Sequence, residues 1–386
     1  MPPKKLTKKA AAAAAAAAEE AAEAPVSPKP LKRTKAEDGK DSAPTPKAKP
    51  AAKKGGKRAV ETQDQPDEAA PVRRQSTAGG PVVTEEMAFA GTTDFVRRTK
   101  DSDFDAAAML RLVSWNVAGL RGFLNKGGDL AKFCADEKPD VLCLQETKLS
   151  DWADCPKTGP IPGYSFVDSI STAKKGYSGT RTYIRDGLLS APAGAVHAFS
   201  FDLDKPDAHD DEGRIITTVL PELEELTVVN SYVPNSGMNL ERLDYRVENF
   251  DPMMRRHLAG LAARRPVIWT GDLNVAERDY DRFWGGNFKQ MQKGPGFTPE
   301  ERASFRKTLA DVGLVDAFRA LYPTAARLGT YTFFSARFNQ RAKGNGWRLD
   351  YFAVSAALVP RVVDCFPLTK YTESDHLPLV MWLRRK

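Results

Sequence analysis

The 386-residue sequence predicts an α/β domain over residues 109–386, a four-layered α/β sandwich of two packed mixed sheets flanked by helices, behind a disordered basic tail over residues 1–108. Three features predict this arrangement. Composition changes near Met109, where a stretch dominated by Ala, Lys, Pro, Glu, Ser and Thr gives way to apolar runs. Those runs then alternate with amphipathic stretches, the pattern of strands interleaved with helices. Finally, "LVSWNVAGL" and "IWTGDLNVA" each pass from an apolar strand into Asn or Asp. Two similar β/α halves opening near residues 110 and 266 would give that echo; chance similarity of short strands is the alternative.

Aromatic residues are almost absent from the tail until Phe89 and Phe95. Such a segment cannot bury enough apolar surface to offset its ordering entropy. Residues 1–100 hold 20 Lys and Arg against 13 Asp and Glu, whereas the rest of the chain holds 37 of each. The whole net charge of +7 therefore sits in residues 1–100. A basic tail suits nuclear import or attraction to phosphates, and equally suits solubility alone. "KPLKRTK" (residues 29–35) reads as an import signal and places the protein in the nucleus; a mitochondrial presequence is the alternative, disfavoured by the acids among the basic residues. The four cysteines, Cys134, Cys143, Cys155 and Cys365, lack C-x-x-C spacing and read as reduced thiols. No apolar run reaches the roughly 18 residues a membrane helix needs, so no membrane partner is expected.

Strands are predicted at "LRLVSW", "DVLCLQE", "TRTYIR", "RIITTVL", "ELTVVNSYV", "RPVIWTGDLNV", "RLDYFAV" and "LPLVMWL". Several are continuous in Val, Ile, Leu and Thr, as strands covered on both faces should be. Helices are predicted at "GGDLAKFCADEK", before Pro139, and over "NLERLDYRVENFDPMMRRHLAGLAARR", where Pro252 marks a kink or break. A third, "TPEERASFRKTLADVGL", has Thr298 as N-cap, Pro299 at N1, Glu301 at N3 and Gly313 as its stop.

Polar residues recur at the ends of these strands: Asn116, Gln145 and Glu146, Tyr232 and Asn235, Asp272 and Asn274, Asp350, and Asp375 with His376. A carboxylate or amide there is costly unless paired or ligated. Any one of them reads most simply as a cap; six clusters argue for one shared site. Residues i and i+2 of a strand face alike, so Asp272 and Asn274 project together, whereas the neighbours Asp375 and His376 diverge. His376 then needs a distant acid to orient it, and Asp350 is the best placed, which leaves Asp375 to face a metal. The donors are all oxygen, the chemistry of Mg²⁺ with Mn²⁺ as an alternative. No Ser or Cys nucleophile is evident, which suits direct attack of water on a phosphodiester.

"LRLVSWNVAGLR", "PDVLCLQETK", "GYSG", "EGRIITT", "SYVPNSG", "WTGDLNVA", "GFTPEER", "GWRLDYFAVS" and "SDHLPLVMWL" occur in the order and spacing of the exonuclease III / apurinic-apyrimidinic endonuclease family, which this chain resembles over nearly all of residues 110–386. The resemblance implies a four-layered sandwich that cleaves duplex DNA 5′ to an abasic site, leaving a 3′-hydroxyl and a 5′-deoxyribose phosphate. It also implies trimming of blocked 3′ ends and some 3′→5′ exonuclease activity, by a monomer. Carried over, Glu146 would ligate Mg²⁺, with Asn116 and Asp375 at metal-linked positions. Asp272 would orient or deprotonate the attacking water and Asn274 would hold it. His376, paired with Asp350, would meet the scissile phosphate, and Tyr232 and Asn235 would bind it. Tyr177 and Arg214, in the "GYSG" and "EGRIITT" segments, would contact substrate. Phe333, Trp347 and Leu349 match a pocket for the flipped-out abasic sugar; each is equally readable as core.

Ala118 stands where the family usually has Asp or Asn, which removes one oxygen ligand and leaves the number of metals open. Met238 stands where some relatives have a basic residue, and Phe334 where some have Trp. "NFKQMQKGPGF" lacks asparagines that some relatives carry before the shared "GF". The competing readings are a phosphodiesterase for phosphoinositides or RNA tails and a DNA-binding protein without catalysis. Deleting residues 1–100 is expected to spare turnover and weaken DNA association. The partners of the tail are not specified by its sequence.

Overall fold

The computed structural model describes residues 82–190, 194–202, 205 and 208–386. Most of the tail, including the basic cluster at residues 29–35, lies outside the described residues. The chain first lays down β1 (Met109–Asn116), β2 (Val141–Gln145), β3 (Tyr164–Ser169) and β4 (Thr180–Arg185). It crosses to a second sheet for β5 (Val196–Ala198), β6 (Ile215–Leu220), β7 (Leu226–Tyr232), β8 (Val267–Asp272), β9 (Leu314–Asp316) and β10 (Asp350–Ser355). It returns to the first with β11 (Val362–Pro367) and β12 (Leu379–Arg384).

The first sheet has the order β11-β12-β1-β2-β4-β3 and the second β5-β6-β7-β8-β10-β9. In both, one central parallel pair, β1 with β2 or β7 with β8, is flanked by antiparallel neighbours. The two sheets thus repeat one connectivity, the first being closed by strands from the C-terminus. The expected halves opening at residues 110 and 266 need correcting on this point. By position, β1 is equivalent to β7 and β2 to β8, so the echo between "LVSWNVAGL" and "IWTGDLNVA" joins strands that are not equivalents.

Alternation along each strand supplies both faces of each sheet. Leu110 and Leu112 of β1, Cys143 of β2, Val228 of β7, Ile268 of β8 and Met381 of β12 point into the core between the sheets. Val113 and Trp115 point outward onto Phe123 of α1 (Leu120–Asn125) and Leu130 and Phe133 of α2 (Leu130–Glu137). On the other side Val229, Trp269 and Tyr351 meet Met254 and Leu258 of α3 (Asp251–Ala262) and Phe305 of α4 (Pro299–Val312). The result is the expected order of helix, sheet, sheet, helix.

Local signals act as read. Thr298 Oγ1 accepts from the Glu301 N–H at 3.2 Å, Glu301 answers the Thr298 N–H at 3.1 Å, and Gly313 takes the left-handed conformation that ends α4. Pro252 sits in the first turn of α3, where its missing N–H costs nothing, and the turn before it, Tyr245–Phe250, is wound as a π-helix.

The expected boundary at residue 109 is too late. Thr93–Asp94 pair in parallel with Ala325–Ala326. Phe95 packs on Phe318 and Tyr322 with ring centroids 5.7 and 5.0 Å apart. The Arg97 guanidinium lies 3.4 Å from the Phe366 ring centre and reaches the buried Asp364. Residues 82–108 therefore belong to the packed body and not to a disordered tail. No helix among the described residues is long and apolar enough to cross a membrane.

Candidate active site

The parallel central pairs deliver four C-terminal strand ends to one edge of the sandwich. β10 and β12 run antiparallel to β8 and β1, so their first residues arrive at the same edge. Asp350, the first residue of β10, stands in direct register with Asp272, the last of β8. Gly271 makes that ending possible. Its φ is +138°, and a Cβ there would lie 1.8 Å from the Ser231 carbonyl oxygen. Beyond the strands the backbone turns sharply: Glu146 and Asn274 adopt left-handed φ values of 53° and 48°. Such strained non-glycine residues are characteristic of functional sites.

At this edge Asp272 is almost wholly buried and held from three sides. Asn116 Nδ2 donates to its Oδ2 at 2.9 Å, the Asn274 N–H donates to its Oδ1 at 3.0 Å, and His376 Nε2 lies 3.7 Å from Oδ2. His376 Nδ1 is 2.9 Å from Asp350 Oδ2. Burial raises the pKa of Asp272, with Asp350 and Glu146 adding to the rise and His376 opposing it. Burial would lower that of His376, but the carboxylates of Asp350 and Asp272 more than offset this and raise it. The arrangement is an imidazolium braced between two acids.

Glu146 is tied to the same centre. Its Oε1 accepts from Asn116 Nδ2 at 2.9 Å and its Oε2 pairs with Lys148 Nζ at 2.7 Å. Burial opposes its ionisation, yet Lys148 and the Asn116 amide hold its pKa below the usual carboxylate value. Asn116 spends its own oxygen on the Ala118 N–H at 2.9 Å, so its amide works as a clasp between two carboxylates. Tyr232 is buried; desolvation and the nearby charge of Glu146 keep its hydroxyl protonated. Asn235 Nδ2 donates to Asn274 Oδ1 at 3.0 Å.

The remaining predicted residues divide. Arg214 Nη2 donates to Tyr177 Oη at 2.6 Å, its Nη1 donates to the Tyr232 carbonyl at 2.9 Å, and Glu212 ties Arg214 to Arg242. Phe333, Trp347 and Leu349 share one cluster with Ala276, Phe288, Met291 and Phe297, and the Phe333 ring centre is 4.8 Å from that of His376. Asp375 is half-buried, its carboxylate 3.4 Å from Ser374 Oγ and near enough to His376 to help raise the pKa of the imidazole. Gln145 turns away from the site and bridges the sheets through Asn230 Oδ1 at 2.8 Å.

Supporting residues emerge that strand-end reading missed. Ser374 Oγ donates to the Asn116 carbonyl at 2.7 Å and accepts from the His376 N–H at 3.2 Å. Arg246 reaches the carbonyls of Leu273 and Asn274 from its π-turn and is anchored by Glu301 at 3.0 Å. The only sequence signal for Glu301 was its cap position, which hid this second role.

Asp272, Asp350 and His376 bring ligand atoms within 4.8 Å of one another. The residues fit a hard divalent cation. The donors are carboxylates and amides, all four cysteines are buried elsewhere, and Asp350 Oδ1 is buried with no donor. His376 Nδ1 is engaged by Asp350, Nε2 faces Asp272 Oδ2 at 3.7 Å, and both carboxylates favour the protonated ring, which leaves the oxygens as ligands.

Comparison with known proteins places these features in context. The Endonuclease/Exonuclease/phosphatase family matches residues 113–376. The DNA repair nuclease APEX1 of Danio rerio is 39% identical over 278 residues, covering 72% of this chain and 83% of its own length. A DNA-(apurinic or apyrimidinic site) endonuclease of Dictyostelium discoideum is 39% identical over 272 residues, 70% of this chain and 69% of its own. Among solved structures, an AP endonuclease from Leishmania major superposes with a TM-score of 0.76 at 48% identity, over 79% of this chain and 97% of that one.

Proposed function

Since the chain belongs to the endonuclease/exonuclease/phosphatase family, we propose that it is a base-excision-repair endonuclease that hydrolyses duplex DNA 5′ to an abasic site. The products would be a 3′-hydroxyl and a 5′-deoxyribose phosphate, with 3′-phosphodiesterase and 3′→5′ exonuclease side activities. The observation that carries this reading is the placement of Asp272 between the Asn116 amide, the Asn274 N–H and the His376–Asp350 pair. A buried carboxylate whose pKa is pushed upward is suited to take a proton from an attacking water. Asn274 would position that water. The His376 imidazolium would sit against the scissile phosphate, where its charge offsets charge that grows in the transition state. Tyr232 stays protonated and would donate to the same phosphate, with Asn235 beside it.

Glu146 would hold Mg²⁺, or Mn²⁺, with Asp375 completing the acidic lining; Asn116 orients both carboxylates. When bound, the cation supplies charge that neutralises phosphate oxygens. Phe333, Trp347 and Leu349 would wall the space for the sugar that has lost its base, and Tyr177 and Arg214 would meet the strand. The protein would act as a monomer, in the nucleus or alternatively in the mitochondrion. The test is incubation with a duplex carrying one abasic site, with Mg²⁺ and with EDTA, resolving both product ends. Faster hydrolysis of an inositol polyphosphate than of this duplex would overturn the reading.

A further inference from the structure

Arg282 is a buried cation without an anion. It is 7% exposed, and no carboxylate forms an ion pair with it among the described residues. Its neighbour Asp281 is already taken: that carboxylate binds Arg348 through 2.9 and 3.0 Å contacts and also binds Arg319. Arg282 Nη1 donates to the Met291 carbonyl at 3.2 Å and Nε to the Phe283 carbonyl at 3.4 Å. Nη2 donates to no acceptor among the described residues. The guanidinium carbon lies 3.9 Å from the Trp347 ring centre and 4.9 Å from that of Phe297. Burial pushes its pKa down to about 10, and no neighbouring carboxylate opposes that shift.

Two of its nitrogens are spent on carbonyls, and Nη2, which is not sealed from solvent, is the donor left for a further acceptor. Its position ties it to the site. Backbone bridges run from Arg282 to Trp347, from Trp347 to Phe333 and from Phe333 to His376, so Arg282 heads the ladder that carries the pocket wall and the histidine. It also braces the short helix Phe288–Met291, within the stretch "NFKQMQKGPGF" that lacks asparagines carried by some relatives. Guanidinium pairs well with phosphate through its planar donors.

We infer that Arg282 is a phosphate-binding residue for this substrate, taking a backbone phosphate of the nucleotide seated against Trp347 and so setting the hold on the strand beside the pocket. The inference rests on the proposed substrate, duplex DNA with an abasic site. Its test is independent of cleavage. Full-length protein, Arg282→Met and Arg282→Lys are titrated in EDTA with a duplex carrying one abasic site, at a series of salt concentrations. Loss of one charge-assisted contact is expected to weaken binding by Arg282→Met about tenfold to a hundredfold. The slope of log affinity against log salt should fall by about one for the one phosphate lost. Arg282→Lys should keep the slope while losing part of the affinity. An unchanged slope in Arg282→Met, with affinity and thermal midpoint falling together, would reduce Arg282 to a support for Trp347 and overturn the inference. If wild-type protein binds this duplex but does not cleave it with Mg²⁺, the proposed hydrolysis fails while the salt slope still decides the role of Arg282. If wild-type protein binds no duplex, both fail.

Discussion

Asp272 and Glu146 share one clasp, the Asn116 amide, yet their surroundings push them in opposite directions. Asp272 is shifted up by burial, and Glu146 is held down by Lys148 and the amide. That split assigns proton transfer to Asp272 and cation holding to Glu146. Asp272→Asn keeps the size of the side chain and removes the base, so kcat on an abasic duplex should fall about 10²- to 10⁴-fold with the thermal midpoint little changed. Glu146→Gln should instead raise the Mg²⁺ concentration for half-maximal cleavage by about tenfold or more, read from a metal titration of the same reaction. Much of this centre was legible in the sequence because buried oxygens at strand ends are too costly to be incidental. What was not legible were the residues whose own positions look ordinary. Lys148 follows a turn, Ser374 precedes Asp375 without any spacing signal, and Arg246 reads as one more helix residue. Ser374 acts on Asn116 across 258 residues and Arg246 on Asn274 across 28, which no local pattern encodes, and Lys148 matters only because the turn after β2 brings its ammonium back onto Glu146.

The strands show where pattern reading stops. All eight strands predicted from the sequence are present, and β3, β5, β9 and β11 went unpredicted. These four are the outermost strands of the two sheets. A central strand is covered on both faces and shows as an apolar run, whereas an edge strand is short and mixed in character. Two consequences follow for particular elements. Gly271 lets β8 approach β7 closely enough to end at Asp272, and Gly271→Ala would force a methyl into the Ser231 carbonyl. The destabilisation should be at least the 1–3 kcal/mol or so typical of overpacking, read by denaturant unfolding. The ladder through Trp347 and Phe333 hangs from Asp281, whose pKa is depressed: burial opposes this, and the charges of Arg319 and Arg348 prevail. A carboxyl depressed in the folded state contributes stability above its unfolded pKa of about 3.9 and loses it as pH falls below that value. Unfolding midpoints of wild type should therefore drop between pH 5 and pH 3, and Asp281→Asn, already weaker at pH 5, should drop less over the same interval.

For the whole molecule the decisive feature is how the first described residues join the sandwich. The composition of residues 82–108 resembles the preceding tail, and Phe89, Phe95 and Phe104 are too sparse to show a period, so no sequence pattern marked them as structural. The contacts that fix them come from the far end of the chain: Phe318 and Tyr322 for Phe95, Phe366 and Trp382 for Arg97, and Asp364 for Thr99. The same long reach closes the first sheet with β11 and β12, which is why the repeat of the two sheets is hidden from a linear reading. Charge nevertheless divides at the same place. Residues 1–81 hold 17 Lys and Arg against 10 Asp and Glu, so they alone carry the net +7. A deletion ending at 81 should leave the thermal midpoint and kcat unchanged while weakening duplex binding at low salt, because it removes the net positive charge and keeps the packed segment that begins at residue 82. A deletion ending at 104 strips the buried Phe89 together with the half-buried Phe95 and Arg97, and loss of one buried aromatic alone costs about 3–5 kcal/mol. Its thermal midpoint should fall by several degrees or more, on the size scaling of a domain this large. The cut at residue 100 that charge alone suggested falls on the wrong side of this division. Equal midpoints for the two truncated proteins would show that the segment from 82 to 104 rests on the sandwich without supporting it.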